Sequence, residues 1–217
     1  MTKALLATVS LICLLASHAV AKSSCDQIDA AISANEDFVE VALAGDAAAL
    51  KEAHAAIRTT FDAVRKSLPA AAATQSLAII DAVDAAVASG DKSAAAIAAV
   101  ENYAVLAKAF KKRLPTSLEA AMLDYAGFRL QGLGAAKTID WAQVEATVNQ
   151  STSNAKAAGI KPDDKALIDL MDNIHAGLAD ATATQNAAWL TSTAQILLDS
   201  VDLVERSVKN NAKEACR

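Results

Sequence analysis

Two histidines and a methionine are the side chains of this sequence best suited to binding a metal or a haem. Met171 and His175 lie four residues apart, so on a helix their side chains are neighbours. A thioether with an imidazole suits copper or a haem iron, and Asp124 and Asp199 can add carboxylates from other helices. The alternative is that Met171 fills a core and His175 borders its apolar stripe.

His54 is a second candidate ligand. It falls on a helical stripe whose other members are apolar: Leu50, Ile57, Phe61, Val64 and Leu68. A histidine in such a stripe either binds a metal or is a hydrogen-bonded core residue. The sequence leaves both interpretations open for His54.

No combination of residues indicates catalysis. The sequence lacks a Gly-rich phosphate loop, a nucleophile elbow, a His-Glu-x-x-His pair and a Cys-x-x-Cys pair. The Cys-x-x-Cys-His attachment of a c-type haem is also missing. We therefore expect a protein that is not an enzyme and carries no cofactor, with bound copper or haem as the alternative.

The composition predicts helices as the elements that position these side chains. Hydrophobic residues make up 53% of the chain but aromatic residues only 4%, and alanine, the best helix former, is abundant. With 7 Gly and 3 Pro there are too few turn residues for a many-stranded protein. Apolar periodicity predicts eight helices: seven at about 26–44, 46–68, 70–88, 91–114, 116–134, 141–159 and 185–210, and one that begins at 162.

Local signals predict several helix ends. Thr116-Ser117-Leu118-Glu119 is typical of a capping box that opens the fifth helix, which should weaken through Gly132 and Gly134. Asp140 is expected to cap the sixth helix, and Pro162 to lie in the first turn of the seventh.

The two sides of Pro115 resemble each other. Asp37-Phe38 aligns with Asp124-Tyr125, and Glu101 aligns with Asp199. The sequence therefore predicts an all-α fold of two tandem up-down four-helix units, 22–114 and 115–217, related by internal duplication. A single eight-helix array is the alternative. The recurring acids indicate either hard-cation sites or solvated helix faces.

The N-terminus resembles a cleaved secretory signal, residues 1–21. Lys3 precedes a short apolar stretch, and Ala19-Val20-Ala21 is typical of a cleavage site. We expect the remaining chain to be soluble in a periplasm or outside a cell, with no later membrane span. A lipoprotein acylated at Cys25 is the alternative.

Cys25 and Cys216 lie near the two ends of the chain that remains after cleavage. Two thiols in an oxidising compartment usually pair, so we expect one disulfide that joins the first and last helices. An intermolecular bridge or two free thiols are the alternatives.

The net charge disfavours some classes of partner. The formal net charge of −5 disfavours nucleic acids and anionic membrane surfaces as partners. We therefore expect an exported helical-bundle binding or interaction protein, with a protein partner or a small apolar ligand between helices. The alternatives are a periplasmic metal or haem carrier, built on Met171 and His175 or on His54, and a purely structural module.

Overall fold

A computed structural model describes residues 24–45 and 47–208, and these residues form an all-α fold, as predicted. The eight helices are α1 (Ser24–Ala44), α2 (Ala47–Val64), α3 (Ala70–Ser89), α4 (Lys92–Ala109), α5 (Leu118–Gly134), α6 (Trp141–Ala157), α7 (Lys165–Ala183) and α8 (Ala187–Val208). A short 3-10 turn, Arg65–Ser67, follows α2, and the described residues contain no strand. The expected signal segment and Cys216 lie outside the described residues.

The helices have the same neighbours in the two halves of the chain. Helix α1 packs against α2 and α4, and α3 packs against α4. In the second half α5 packs against α6 and α8, and α7 packs against α8. Helices α4 and α5 pack together and join the two sets. The unit boundary near Pro115 and the internal duplication stay predictions.

Each half has its own apolar cluster. Phe38, Ile80 and Leu106 are fully buried in the first, and Leu178 and Leu197 in the second. Alanines fill much of the remaining interior, and their small side chains let the helices approach closely. Nearly all members of each cluster therefore belong to one half, although Ala121 and Phe128 of α5 join the first cluster.

The predicted helix starts are partly right. The Asp140 carboxylate accepts hydrogen bonds of 3.1 Å from the backbone N–H groups of Ala142 and Gln143, so Asp140 caps α6 as expected. The capping box at 116–119 is wrong by one residue. Ser117 Oγ, not Thr116, accepts the 3.1 Å bond from the Ala120 N–H, because the extended Ser117 directly precedes the first helical residue.

Two other predicted helix ends also differ. Helix α4 ends at Ala109, several residues before Pro115. Helix α7 begins at Lys165 rather than at Pro162. A turn closed by the bond from the Asp164 N–H to the Lys161 carbonyl (2.9 Å) precedes it. Pro162 fits inside this turn because its missing N–H is not needed there.

Helix α5 ends at Gly134, within the segment where the sequence predicts it to fade, and two of its glycines let α8 approach. A Cβ on Gly127 would lie 2.6 Å from Leu198 Cγ, and one on Gly134 would lie 2.5 Å from Thr191 Cγ2. Both distances are far below normal contact, so only glycine allows this separation of the two helices. The close approach fixes α8 beside α5.

Helix α3 is the one described helix long and apolar enough to cross a membrane, by length and composition alone. A helix of a soluble protein can pass the same criteria. Two of its residues, Asp81 and Asp84, form ion pairs with Arg58 of α2. The exposed face of α3 is rich in alanine.

Candidate functional site

A cavity lies where the two halves meet. Its volume is about 720 Å³, and residues of α1, α4, α5, α8 and the α4–α5 linker line it. Eight of the lining side chains are carboxylates, and none of the described lining residues is Lys, Arg or His. We call this space the acidic cavity.

Helix α1 contributes four of these carboxylates: Asp29, Glu36, Asp37 and Glu40. Asp29, Glu36 and Glu40 are spaced by seven and four residues, which places them on one face of the helix. Glu36 and Glu40 are like charges at i and i+4, an arrangement that destabilises a helix. This face of α1 therefore carries a row of charge that does not help the helix to form.

Helices α5 and α8 contribute the other four carboxylates. Asp199, Asp202 and Glu205 follow one another at intervals of three residues on α8, and Asp124 lies in the middle of α5. Asp199 accepts a 2.8 Å hydrogen bond from the Gln195 side chain. The charge of α8 thus adds to that of α1 around the same space.

Tyr103 and several apolar side chains complete the lining. The Tyr103 hydroxyl donates a 2.8 Å hydrogen bond to the Ala121 carbonyl, which holds the buried ring against α5. Ile32 of α1, Phe128 of α5 and Leu198 of α8 also line the cavity. The lining is therefore a mixture of acidic and hydrocarbon surface.

The electrostatics of the acidic cavity disfavour its own charges. Burial, followed by repulsion from Glu205, raises the pKa of Glu36 to about 7. Burial and then the charges of Glu36, Glu205 and Asp202 raise the pKa of Asp124 well above its ordinary value. The pKa of Asp29 is raised as well, first by burial. A positive charge inside the cavity would reverse these effects.

Thr116 adds a polar group without a partner. It lines the acidic cavity, is 6% exposed, and its hydroxyl has no hydrogen-bond partner among the described residues. The shift of the helix cap to Ser117 is what leaves this hydroxyl unused. A buried hydroxyl without a partner costs free energy, and a ligand that donates or accepts a hydrogen bond would recover it.

Met171 and His175 lie away from the acidic cavity, in the second half. His175 is buried, its Nδ1–H donates to the Met171 carbonyl (2.7 Å), and its Nε2 accepts from the Ser151 hydroxyl (2.9 Å). Burial, the largest cause, lowers the pKa of His175 and so favours the neutral ring. Both ring nitrogens are therefore occupied by hydrogen bonds within the protein.

His54 lies in the first half, between α2 and α3. Its Nε2 contacts the Asp84 carboxylate, and its ring lies 6.4 Å from that of Phe38, centroid to centroid. Arg58, one turn further along α2, also pairs with Asp84. Burial and then the Arg58 charge lower the pKa of His54. The His54 ring thus takes part in a polar link between two helices that otherwise touch little.

The five predicted metal ligands therefore lie in three separate places. Asp124 and Asp199 share the acidic cavity, Met171 and His175 share a smaller one, and His54 pairs with Asp84. Within the described ranges, no three His, Cys, Asp or Glu side chains come close enough to hold a metal ion.

Cys25 lies in the first turn of α1 and is 8% exposed. Since Cys216 lies outside the described residues, the disulfide stays a prediction. If it forms, it joins the first turn of α1 to the chain that follows α8. Helices α1 and α8 are the two helices that carry the rows of carboxylates.

Helix α8 also exposes three large apolar side chains. Trp189, Ile196 and Leu203 are 42%, 49% and 40% exposed and lie seven residues apart, so they share one face. A stripe of this spacing is typical of contacts between helices. It lies on a different face of α8 from the carboxylates.

The acidic cavity is the feature that sequence reasoning missed, although Asp124 and Asp199 were selected for another purpose. The sequence did contain a signal for this cavity, because the spacing of Asp29, Glu36 and Glu40 places them on one face of a helix.

Comparison with known proteins adds nothing to this geometry: neither the known protein families, nor curated proteins, nor solved structures gave a match to the chain.

Proposed function

We propose that this chain is an exported, non-catalytic binding protein that holds a positively charged small ligand in the acidic cavity. The observation that carries the proposal is the lining of that cavity: eight carboxylates and no basic side chain among the described residues. The absence of catalytic motifs from the sequence supports binding rather than turnover.

The repulsion within the cavity supports a functional explanation. Burial, and after it the repulsion between like charges, raises the pKa values of Glu36 and Asp124, and both effects cost folding free energy. Natural sequences break such local rules chiefly at functional sites. A bound cation would offset the repulsion and stabilise the folded chain.

The size of the cavity supports a small molecule. Its volume of about 720 Å³ falls within the range of about 300 to 1,000 Å³ typical of small-molecule sites. The ligand we propose differs from the apolar one expected from the sequence. Ile32, Phe128 and Leu198 suit a hydrocarbon portion, but the carboxylates require positive charge as well.

A thermal-shift experiment with a charge-matched control tests this function. The cavity variant is Glu36→Gln with Asp124→Asn, and the control is Glu52→Gln with Asp62→Asn, two exposed acids of α2. The probes are spermine, tetramethylammonium and calcium, each as the chloride, at pH 8 and constant ionic strength. Far-ultraviolet circular dichroism first establishes that both variants are folded.

We expect at least one cation to raise the melting temperature of the unaltered chain and of the control equally. The rise at a hundredfold excess over Kd should be about 5 to 10 °C. The cavity variant should respond much less. Equal responses of both variants, or no response of the unaltered chain to any cation, would refute the proposed function.

A further inference from the structure

The geometry points to a linear polyamine, a hydrocarbon chain carrying several ammonium groups, as the ligand of the acidic cavity. This inference rests on the proposed function and specifies the chemical class of the cation. It is carried by three features of the described residues: the extended rows of charge, the apolar side chains beside the charges, and the unpartnered Thr116 hydroxyl.

The negative charge is distributed along a line rather than gathered at a point. Asp29 and Glu40 are eleven residues apart on α1, which corresponds to about 16 Å along the helix axis. Asp199 and Asp202 begin a second row on α8. A ligand that neutralises both rows must carry separated positive charges along its length.

The same arrangement disfavours a single metal ion. Calcium takes six to eight oxygen ligands that converge within about 2.3 to 2.6 Å of one point. No three acidic, cysteine or histidine side chains of the described residues come together in this way. The carboxylates are therefore better suited to several monovalent groups than to one divalent ion.

Apolar side chains lie beside the carboxylates of both rows. Ile32 is three residues after Asp29 and four before Glu36, so it lies between them on the same face of α1. Leu198 lies at the start of the α8 row, four residues before Asp202. The alternation on α1 matches a chain in which methylene segments separate ammonium groups.

Thr116 favours a ligand that bears N–H groups over a quaternary ammonium ion. Thr116 lines the cavity, and its buried hydroxyl has no hydrogen-bond partner among the described residues. A protonated amine carries two or three N–H donors, which the hydroxyl oxygen and the carboxylates can accept. A quaternary ammonium ion has no donor and would leave the hydroxyl unsatisfied.

Isothermal titration calorimetry of the full chain with putrescine, spermidine and spermine tests the inference. We expect affinity to rise with the number of ammonium groups, by about fivefold for each added group at low salt. Spermine should bind more tightly than calcium or tetramethylammonium. The Glu36→Gln, Asp124→Asn variant should lose most of the spermine affinity, and the Glu52→Gln, Asp62→Asn control should keep it.

A Thr116→Val variant separates the contribution of the hydroxyl to ligand binding from that of the carboxylates. Valine has nearly the same shape, so the melting temperature without ligand should stay the same or rise. Spermine affinity should fall severalfold. Unchanged spermine affinity in a folded Thr116→Val variant would remove Thr116 from the site and contradict an inference that depends on it.

The remaining outcomes separate the polyamine inference from the proposed function. If calcium or tetramethylammonium binds as tightly as spermine and the binding needs Glu36 and Asp124, the polyamine inference is wrong but the cation-binding function stands. Tighter binding of an oligolysine peptide than of spermine would also overturn the inference. If no cation binds, both proposals fail together.

Discussion

Glu36 of α1 and Glu205 of α8 line the same cavity and repel each other, although they belong to opposite halves of the chain. After burial, the charge of Glu205 is the next cause that raises the pKa of Glu36 to about 7. The cavity therefore exists only because the two halves pack together through α4 and α5. Any ligand held there contacts both halves and should stabilise their association.

The pH dependence of stability should reveal the Glu36 carboxyl. Its pKa is about 7 in the folded chain and near its ordinary value of 4.5 in the unfolded one. Between these values the folded state binds the proton more tightly, so stability falls as pH rises from about 4.5 to 7. Glu36→Gln should therefore raise the free energy of unfolding by up to about 3 kcal/mol at pH 8 and little at pH 4.

Urea denaturation at pH 4, 6 and 8 measures this difference. Glu52→Gln is the matched control, because Glu52 is exposed on α2 and its removal changes the net charge equally. The control should raise the free energy of unfolding only slightly, and this rise should not depend on pH in the same way. If Glu36→Gln raises the free energy of unfolding equally at pH 4 and pH 8, the raised pKa of Glu36 is contradicted.

Ser151 and His175 should stabilise the contact between α6 and α7. Ser151→Ala removes the donor to His175 Nε2 and leaves a buried acceptor unsatisfied, which should cost about 1 to 3 kcal/mol. Burial lowers the pKa of His175 in the folded chain. The unfolded chain, in which the imidazole has its ordinary pKa of 6.5, therefore binds the imidazole proton more tightly than the folded chain does. His175 therefore destabilises the fold as pH falls below that value.

Nitrogen NMR and denaturation test this arrangement. The imidazole proton should lie on Nδ1, since the Met171 carbonyl can only accept. Ser153→Ala is the control, because the exposed Ser153 hydroxyl bonds only within its own helix, and it should cost less than about 0.5 kcal/mol. A proton on Nε2, or equal effects of the two serine variants, would disprove the assigned hydrogen bonds.

Gly127 should be required for the separation of α5 and α8. Alanine favours a helix by up to about 1 kcal/mol over glycine, but its Cβ would lie 2.6 Å from Leu198 Cγ. We expect the clash to dominate, with a net loss of about 1 to 3 kcal/mol for Gly127→Ala. In a Leu198→Ala background the same change should cost at least about 1 kcal/mol less. Strictly additive losses, measured by chemical denaturation, would show that the two residues do not collide.

Cys25 and Cys216 should form a disulfide in the exported chain. Its loss should lower the free energy of unfolding, by about 5 kcal/mol at most in the chain-entropy model. Cys25→Ser, Cys216→Ser and the reduced unaltered chain should melt at similar, lower temperatures than the oxidised chain. Insensitivity of the unaltered chain to reductant, or an intact mass without the loss of two hydrogens, would exclude an internal bridge.

Much of the secondary structure was predictable because helix signals are local. Apolar periodicity located all eight helices, and Asp140 was recognised as a cap from its own side chain and position. The cap of α5 was misplaced because Thr116 and Ser117 are both suitable capping residues, and only the backbone conformation selects between them. The end of α5 near Gly134 was predicted, but the close approach of α8 at Gly127 was not, because α8 is remote in sequence.

The candidate site also divides into features that depend on local sequence and features that depend on contacts between distant residues. Sequence by itself determined the helices, the face of α1 that carries Asp29, Glu36 and Glu40, and the negative charge of the chain, because each depends on residues within a few turns. Only the tertiary structure decided that this face meets Asp124 and the carboxylates of α8 around one cavity. The close approach of α5 and α8 depends on contacts such as that of Gly127 with Leu198, and no local pattern of residues reports a contact across so long a stretch of chain.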